Sequence, residues 1–272
     1  MRKKLPPALF LAPAFTVFAA FFLLPVARLL PESAGGQEGW WVYVRILQDS
    51  RYWGSLVSTV VLALAVTAGS QLLGGVAGLF LERASFKGRG LLIAALTLPI
   101  SFPGVVVGFM VIMLAGRQGL AAAVTGAAFG SRLVFAYSAA GLFVGYLYFS
   151  IPRVVTTVMA AASKLDRSLE EAARTLGASP GRVVWDVTIP ALLPALVSTG
   201  AICFSTSIGA FGTAFTLATD INVLPIVIYT EYTLSANIAV AAALSLVLGL
   251  TSWTVLFAAR LATGLETAGH AA

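Results

Sequence analysis

The sequence predicts an all-α polytopic membrane protein with six transmembrane helices, and three observations predict it. Hydrophobic residues make up 59% of the 272 residues and charged residues only 10%, a balance far from that of a soluble domain. Crossing about 30 Å of hydrocarbon takes ~20 helical residues. Six apolar stretches meet that length, at roughly 8–30, 55–81, 91–115, 133–161, 191–218 and 236–260. The connections between them are short, so the crossings consume most of the chain and leave no room for a soluble catalytic domain.

The first stretch follows Arg2, Lys3 and Lys4. It is longer than the core of a secretory signal and lacks a small-residue cleavage site, so it reads as a retained span. Residues 31–54 then interleave Trp40, Trp41, Tyr43 and Trp53 with Val42, Ile46 and Leu47. Aromatics at that density suit a segment lying along the outer interface, as an anchor or as a docking surface. A short basic turn, Glu82 to Gly90, leads into the third stretch, which carries Pro99, Pro103 and Gly104. These residues interrupt helical hydrogen bonding, for a gate or for packing alone. The fourth stretch brings Tyr137, Tyr146 and Tyr148. In the fifth, Ser198, Ser205, Gly209, Gly212 and Thr216 recur on one helical face, which fits close packing or the lining of a path. With Ser101, Tyr137 and Tyr146 they are the candidate translocation path. The sixth stretch precedes a short tail with a lone His270, to which no metal is assigned.

Basic residues set the orientation, because cytoplasmic loops are enriched in Lys and Arg. With both termini inside, only Arg28, Arg45, Arg51, Arg117 and Arg132 of the 17 Lys and Arg residues fall outside. Their dispersal among short loops gives no reason to expect nucleic-acid binding. Cys203 is the single cysteine, so no intrachain disulfide can form. The span interiors are expected to be free of ionisable residues, with Arg28, Arg132, Arg153 and Asp220 near span ends. That expectation argues against an ion-coupled secondary carrier or channel working without an ATPase, which is the alternative reading. No paired acids, metal-ligand spacing or phosphate-binding glycine loop supports enzyme chemistry.

The polar gap between the fourth and fifth stretches is the most informative segment. Leu165, Leu169, Ala172 or Ala173, and Leu176 fall on one face of a short helix. Asp166 or Ser168 can cap its start, and Gly177 suits its end. Ser179 followed by Pro180 starts a second helix, and Pro190 marks entry into the next span. The gap thus reads as helix, glycine turn and helix outside the bilayer.

Glu171-Ala172-Ala173, three residues, Gly177, nine residues, then Val187, Thr188, Ile189 and Pro190 resembles the EAA loop of ABC importer permeases, with Val187 and Ile189 in place of Ile and Leu. The resemblance implies an ABC importer permease fold of type I, MetI-like, with an additional N-terminal span. It implies that Glu171, Ala172, Ala173, Gly177, Val187, Ile189 and Pro190 couple the chain to a cytoplasmic ATPase. It further implies residues 1–54 as N-terminal span and external loop, 55–260 as permease core with coupling loop 162–190, and 261–272 as tail. The implied partners are two ABC ATPase subunits carrying ATP and Mg, a second permease (identical or paralogous), an external solute-binding protein and lipid of a bacterial inner membrane. No cofactor is expected on this chain, and no catalysis. The strings Pro99 to Gly104 and Gly116-Arg117-Gln118-Gly119 are similar to those of permeases for polyamines, aminoethylphosphonate or ferric iron, with the first two preferred.

Overall fold

The computed structural model describes residues 7–217 and 222–262, and these are helical with no strand among them. Asp220, His270, the N-terminal basic residues and nearly all of the expected tail lie outside the described residues. Among the described residues, six helical segments are long and apolar enough to cross a membrane, the third of them interrupted at residues 116–119.

The first crossing joins α1 (Pro7–Phe18) to α2 (Leu24–Ala34) through a π turn at Ala19–Leu23. It is peripheral and mostly exposed over its described side chains, and α2 touches the bundle along the last helix. Its outer end is pinned by Ser33, whose hydroxyl meets Leu30 O at 2.7 Å and Tyr43 Oη at 2.8 Å. Tyr43 lies on α3 (Val42–Gln48), where Val42 and Ile46 are buried and Trp40 and Trp41 just before it are exposed. The aromatic segment therefore has one face in the fold and one face free.

α4 (Ser50–Arg83) and α8 (Ala139–Ala162) form the centre. Gly74 and Gly78 let the two backbones approach: a Cβ on Gly74 would lie 2.8 Å from Val154 Cβ and 3.0 Å from Ile151 O. Small residues at such crossings replace the hydrophobic drive that lipid removes. Gly74→Ala is accordingly expected to destabilise the protein by about 1–3 kcal/mol through overpacking. Gly75→Ala, whose Cβ would find its nearest neighbour at 4.0 Å, is expected to be neutral or stabilising. Thermal unfolding of both variants in detergent checks this, and a lower midpoint for Gly75→Ala than for Gly74→Ala would contradict the packing account.

The third crossing is made in pieces. α5 (Arg89–Thr97) passes through a tight turn at Leu98–Ser101 to α6 (Gly104–Ala115). The apolar run continues into α7 (Leu120–Phe129), but the residues between the two are not helical. The fifth crossing is also broken. α11 (Ile189–Ile208) ends at Gly209, and α12 (Phe211–Leu217) starts again after Ala210 among other neighbours, α6 and α13 in place of α4 and α14. The single face expected from Ser198 to Thr216 is therefore two faces. Tyr146 donates its hydroxyl to Ala210 O at 2.6 Å and so satisfies a carbonyl that the break frees. α12 then packs on α6, with Gly104 and Gly108 against Thr213 and Thr216, and Gly212 against Val105.

α13 (Leu224–Thr233) lies at the α3 end of the bundle, where Arg51 Nη1 reaches the buried Glu231 Oε1 at 2.9 Å. α14 (Ile238–Ala262) makes the sixth crossing. At the opposite end, between α8 and α11, lie α9 (Arg167–Thr175) and α10 (Pro180–Val183).

Candidate functional site

The segment between α8 and α11 is built from short-range signals. Asp166, with extended backbone, caps α9 by accepting the Ser168 N–H at 2.9 Å, which holds its carboxyl below the usual range. Gly177 ends α9 at φ +83°, with Gly177 N donating to Arg174 O at 2.9 Å and Ala178 N to Ala173 O at 3.0 Å. Those two bonds make a Schellman stop, which favours glycine at that position. Ser179 accepts from Arg182 N at 3.4 Å and starts α10 with Pro180 in its first turn. A π turn at Val184–Thr188 delivers the chain into α11.

The apolar face of α9 points away from the rest of the chain. Its apolar residues do not turn inward: Leu169 is 57% exposed and Leu176 88% exposed, with Ala172 exposed between them. The inward residue is Glu170, 9% exposed. Its carboxylate ion-pairs with Arg83 at the end of α4 and accepts Thr188 Oγ1–H at 2.8 Å. One acid thus fastens α9, the end of α4 and the entry to α11 together. Sequence reasoning passed over Glu170 as one of several polar residues.

Of the predicted coupling residues, Glu171 and Ala172 are exposed on α9, Ala173 is half-buried, and Gly177 is exposed at the turn. Val187 and Ile189 are half-buried, and Pro190 is exposed at the start of α11. The predicted path residues are not gathered onto one surface. Ser101 is exposed beside the proline turn, Tyr137 packs on the core cluster around Tyr146, and Ser198 is half-buried. Tyr146 is 1% exposed and spends its hydroxyl on Ala210, so it braces the helix break. Ser205 Oγ is enclosed without a hydrogen-bond partner, Gly209 is exposed at the break, and Gly212 and Thr216 face α6.

Arg153 requires a correction. It was expected near a span end, yet it lies nine residues inside α8, about 13 Å along the axis at 1.5 Å per residue. There it donates from Nη1 to Thr206 Oγ1 at 3.0 Å. Its distance from the helix end comes from α8 running unbroken through Pro152 to Ala162.

Residues 72–265 match the family model described as binding-protein-dependent transport system inner membrane component. The chain is 31% identical over 251 residues to the putative 2-aminoethylphosphonate transport system permease protein PhnU of Salmonella typhimurium strain LT2, covering 90% of this chain and 88% of that one. It is 33% identical over 195 residues to the molybdenum transport system permease protein ModB of Escherichia coli K12, covering 68% and 81%. With the sulfate transport system permease protein CysW of a Synechocystis strain it shares 29% over 235 residues, covering 83% and 84%. Among solved structures, a bacterial ABC transporter that imports alginate matches with a TM-score of 0.76 at 17% identity, over 95% of this chain and 94% of that one. The MetNI methionine ABC transporter in an inward-facing form matches with a TM-score of 0.61 at 19% identity, over 85% and 99%. The fold is thus that of ABC importer permeases, and the chain belongs to the family of binding-protein-dependent transport system inner membrane components.

Proposed function

We propose that this chain is the permease subunit through which an ATP-driven importer moves a small anionic solute, with α9 as the element that docks on a cytoplasmic ATPase. The observation that carries the docking role is the inverted amphipathicity of α9: an extramembrane helix that exposes Leu169, Ala172 and Leu176 while burying Glu170 presents a face for another protein. Glu171 and Arg174 flank that face and supply charge for its rim. The remaining parts of the machine are two ATPase subunits with ATP and Mg, a second permease and an external solute-binding protein. The membrane is the bacterial inner membrane, and residues 163–188 face the cytoplasm.

Phosphonate, molybdenum and sulfate in the names of the relatives support an oxyanion class, with aminoethylphosphonate favoured. A polyamine or ferric cation is disfavoured by the uncompensated cation at Arg153. Arginine does not give up its proton in proteins, so Arg153 offers no proton-coupled step to a carrier working without an ATPase.

Co-expression and co-purification test the docking. With its native cysteine replaced (Cys203→Ala), Leu176→Cys is expected to cross-link to the ATPase, whereas a cysteine at Gln37 is not. Failure of any ATPase to co-purify would remove the reading. In the same background, cysteines at the exposed residues Gln37, Gln118 and Asn222 are expected to react with an impermeant thiol reagent added outside, and those at Ser85 and Ser179 are not. Ser33 is unsuitable, because it is fully buried and bonded to Tyr43. The reverse pattern would invert the topology.

A further inference from the structure

We infer that Arg153 and Thr206 form a transient binding site for the oxyanion inside the membrane, where the crossing solute supplies the charge that the protein does not. This inference rests on the proposed importer function. Arg153 is half-buried where α8 packs on α11, and meets no carboxylate among the described residues. Its acceptor is Thr206 Oγ1, whose own proton goes to Ile202 O at 2.9 Å or Cys203 O at 3.1 Å. A neutral hydroxyl orients the guanidinium without neutralising it.

An ion at this depth is costly unless it faces a pathway or a counter-charge. Ile202, next to Thr206 on α11, is 44% exposed, so the surface stays open in the single subunit. Buried hydroxyls at Ser150, Ser205 and Ser207 have no hydrogen-bond partner, which adds unspent polar capacity on the same stretch of α8 and α11. A planar guanidinium presents its donors in a fork that fits two oxygens of a tetrahedral oxyanion, and a single neutral acceptor leaves most of that fork free. The site need only be weak, since a solute held tightly would not leave.

The assembled importer in proteoliposomes, supplied with its binding protein, tests this with labelled 2-aminoethylphosphonate, sulfate and molybdate in turn. Arg153→Gln is expected to lower uptake at least about tenfold, while ATPase subunits still co-purify and nucleotide hydrolysis continues. Arg153→Lys, which keeps the charge without the fork, is expected to lie between Gln and wild type. Uptake by Arg153→Gln equal to wild type would overturn the inference. So would loss of permease pairing that is restored by neutralising a carboxylate in the second permease, because Arg153 would then be an interface residue. Should wild type take up none of the three solutes, the proposed oxyanion class fails, and a second measurement still decides the site. In a Cys203→Ala background, Thr206→Cys is expected to react about tenfold faster with an anionic than with a cationic methanethiosulfonate reagent of similar size, and Arg153→Gln is expected to erase that preference. Equal rates with Arg153 present would overturn the site.

Discussion

Replacing Glu170 by Ala is expected to lower stability by about 1–2 kcal/mol and to abolish most transport while membrane insertion stays normal. The carboxylate is the common partner of Arg83 and Thr188, so its removal strands two donors at once. Thr188 is 1% exposed, whereas the Arg83 side chain is 34% exposed and can reach solvent. The larger share of the loss therefore belongs to Thr188 and to the released contact between α9 and α11, and the ion pair itself is discounted for screening. Transport is expected to suffer more than stability, because on the proposed docking of α9 a push on that helix would reach α11 through this acid. Thermal unfolding and uptake should be read with Arg83→Met and the Glu170→Ala/Arg83→Met double variant. A double variant no worse than the worse single would show that the two residues act as a unit. Full transport in Glu170→Ala, at normal expression, would remove the strut.

Much of this fold is legible from local signals. Six crossings follow from apolar length alone, and the loop helices follow from Asp166, Gly177, Ser179 and Pro180, each of which acts within a few residues of its own position. What could not be read depends on distant partners. Glu170 and Glu171 are identical neighbours, and the choice of which one turns inward is made by Arg83, 87 residues away in sequence. The break at Gly209 and Ala210 was invisible because the spacing of Ser205, Gly209, Gly212 and Thr216 suits one continuous helix. Its freed carbonyl is met by Tyr146, which is 64 residues distant. Arg153 was misplaced for a related reason: periodicity locates a span to within a turn or two at each end, and charge near a boundary reads as interfacial. The path residues named from small-residue spacing are not separated from packing residues by that spacing, since it serves helix contact and solute contact alike, and Gly212 and Thr216 pack on α6.

Replacing Glu171 by Lys is expected to leave thermal stability unchanged and yet to reduce uptake by one to two orders of magnitude, roughly what loss of a desolvated charge contact at a protein interface produces. The Glu171 side chain is exposed, makes no hydrogen bond or ion pair among the described residues, and sits beside the exposed apolar face of α9. Reversing its charge therefore changes the proposed docking face while the internal scaffold is untouched. Gly177→Val is expected to reach a similar transport defect by a different route. A β-branched residue is strained at φ +83°, so the Schellman stop would loosen and α10 would leave its fixed relation to α9. Its defect should therefore come with increased proteolytic sensitivity between residues 175 and 182, which Glu171→Lys should not show. Measured together with Glu170→Ala, the three variants separate internal strut, turn and proposed docking face: Glu170→Ala and Gly177→Val both lower the unfolding midpoint, only Gly177→Val opens the turn to protease, and Glu171→Lys weakens co-purification of the ATPase at an unchanged midpoint. Normal uptake and normal co-purification in Glu171→Lys would show that the outward face of α9 is not the docking surface, even if the strut behind it is real.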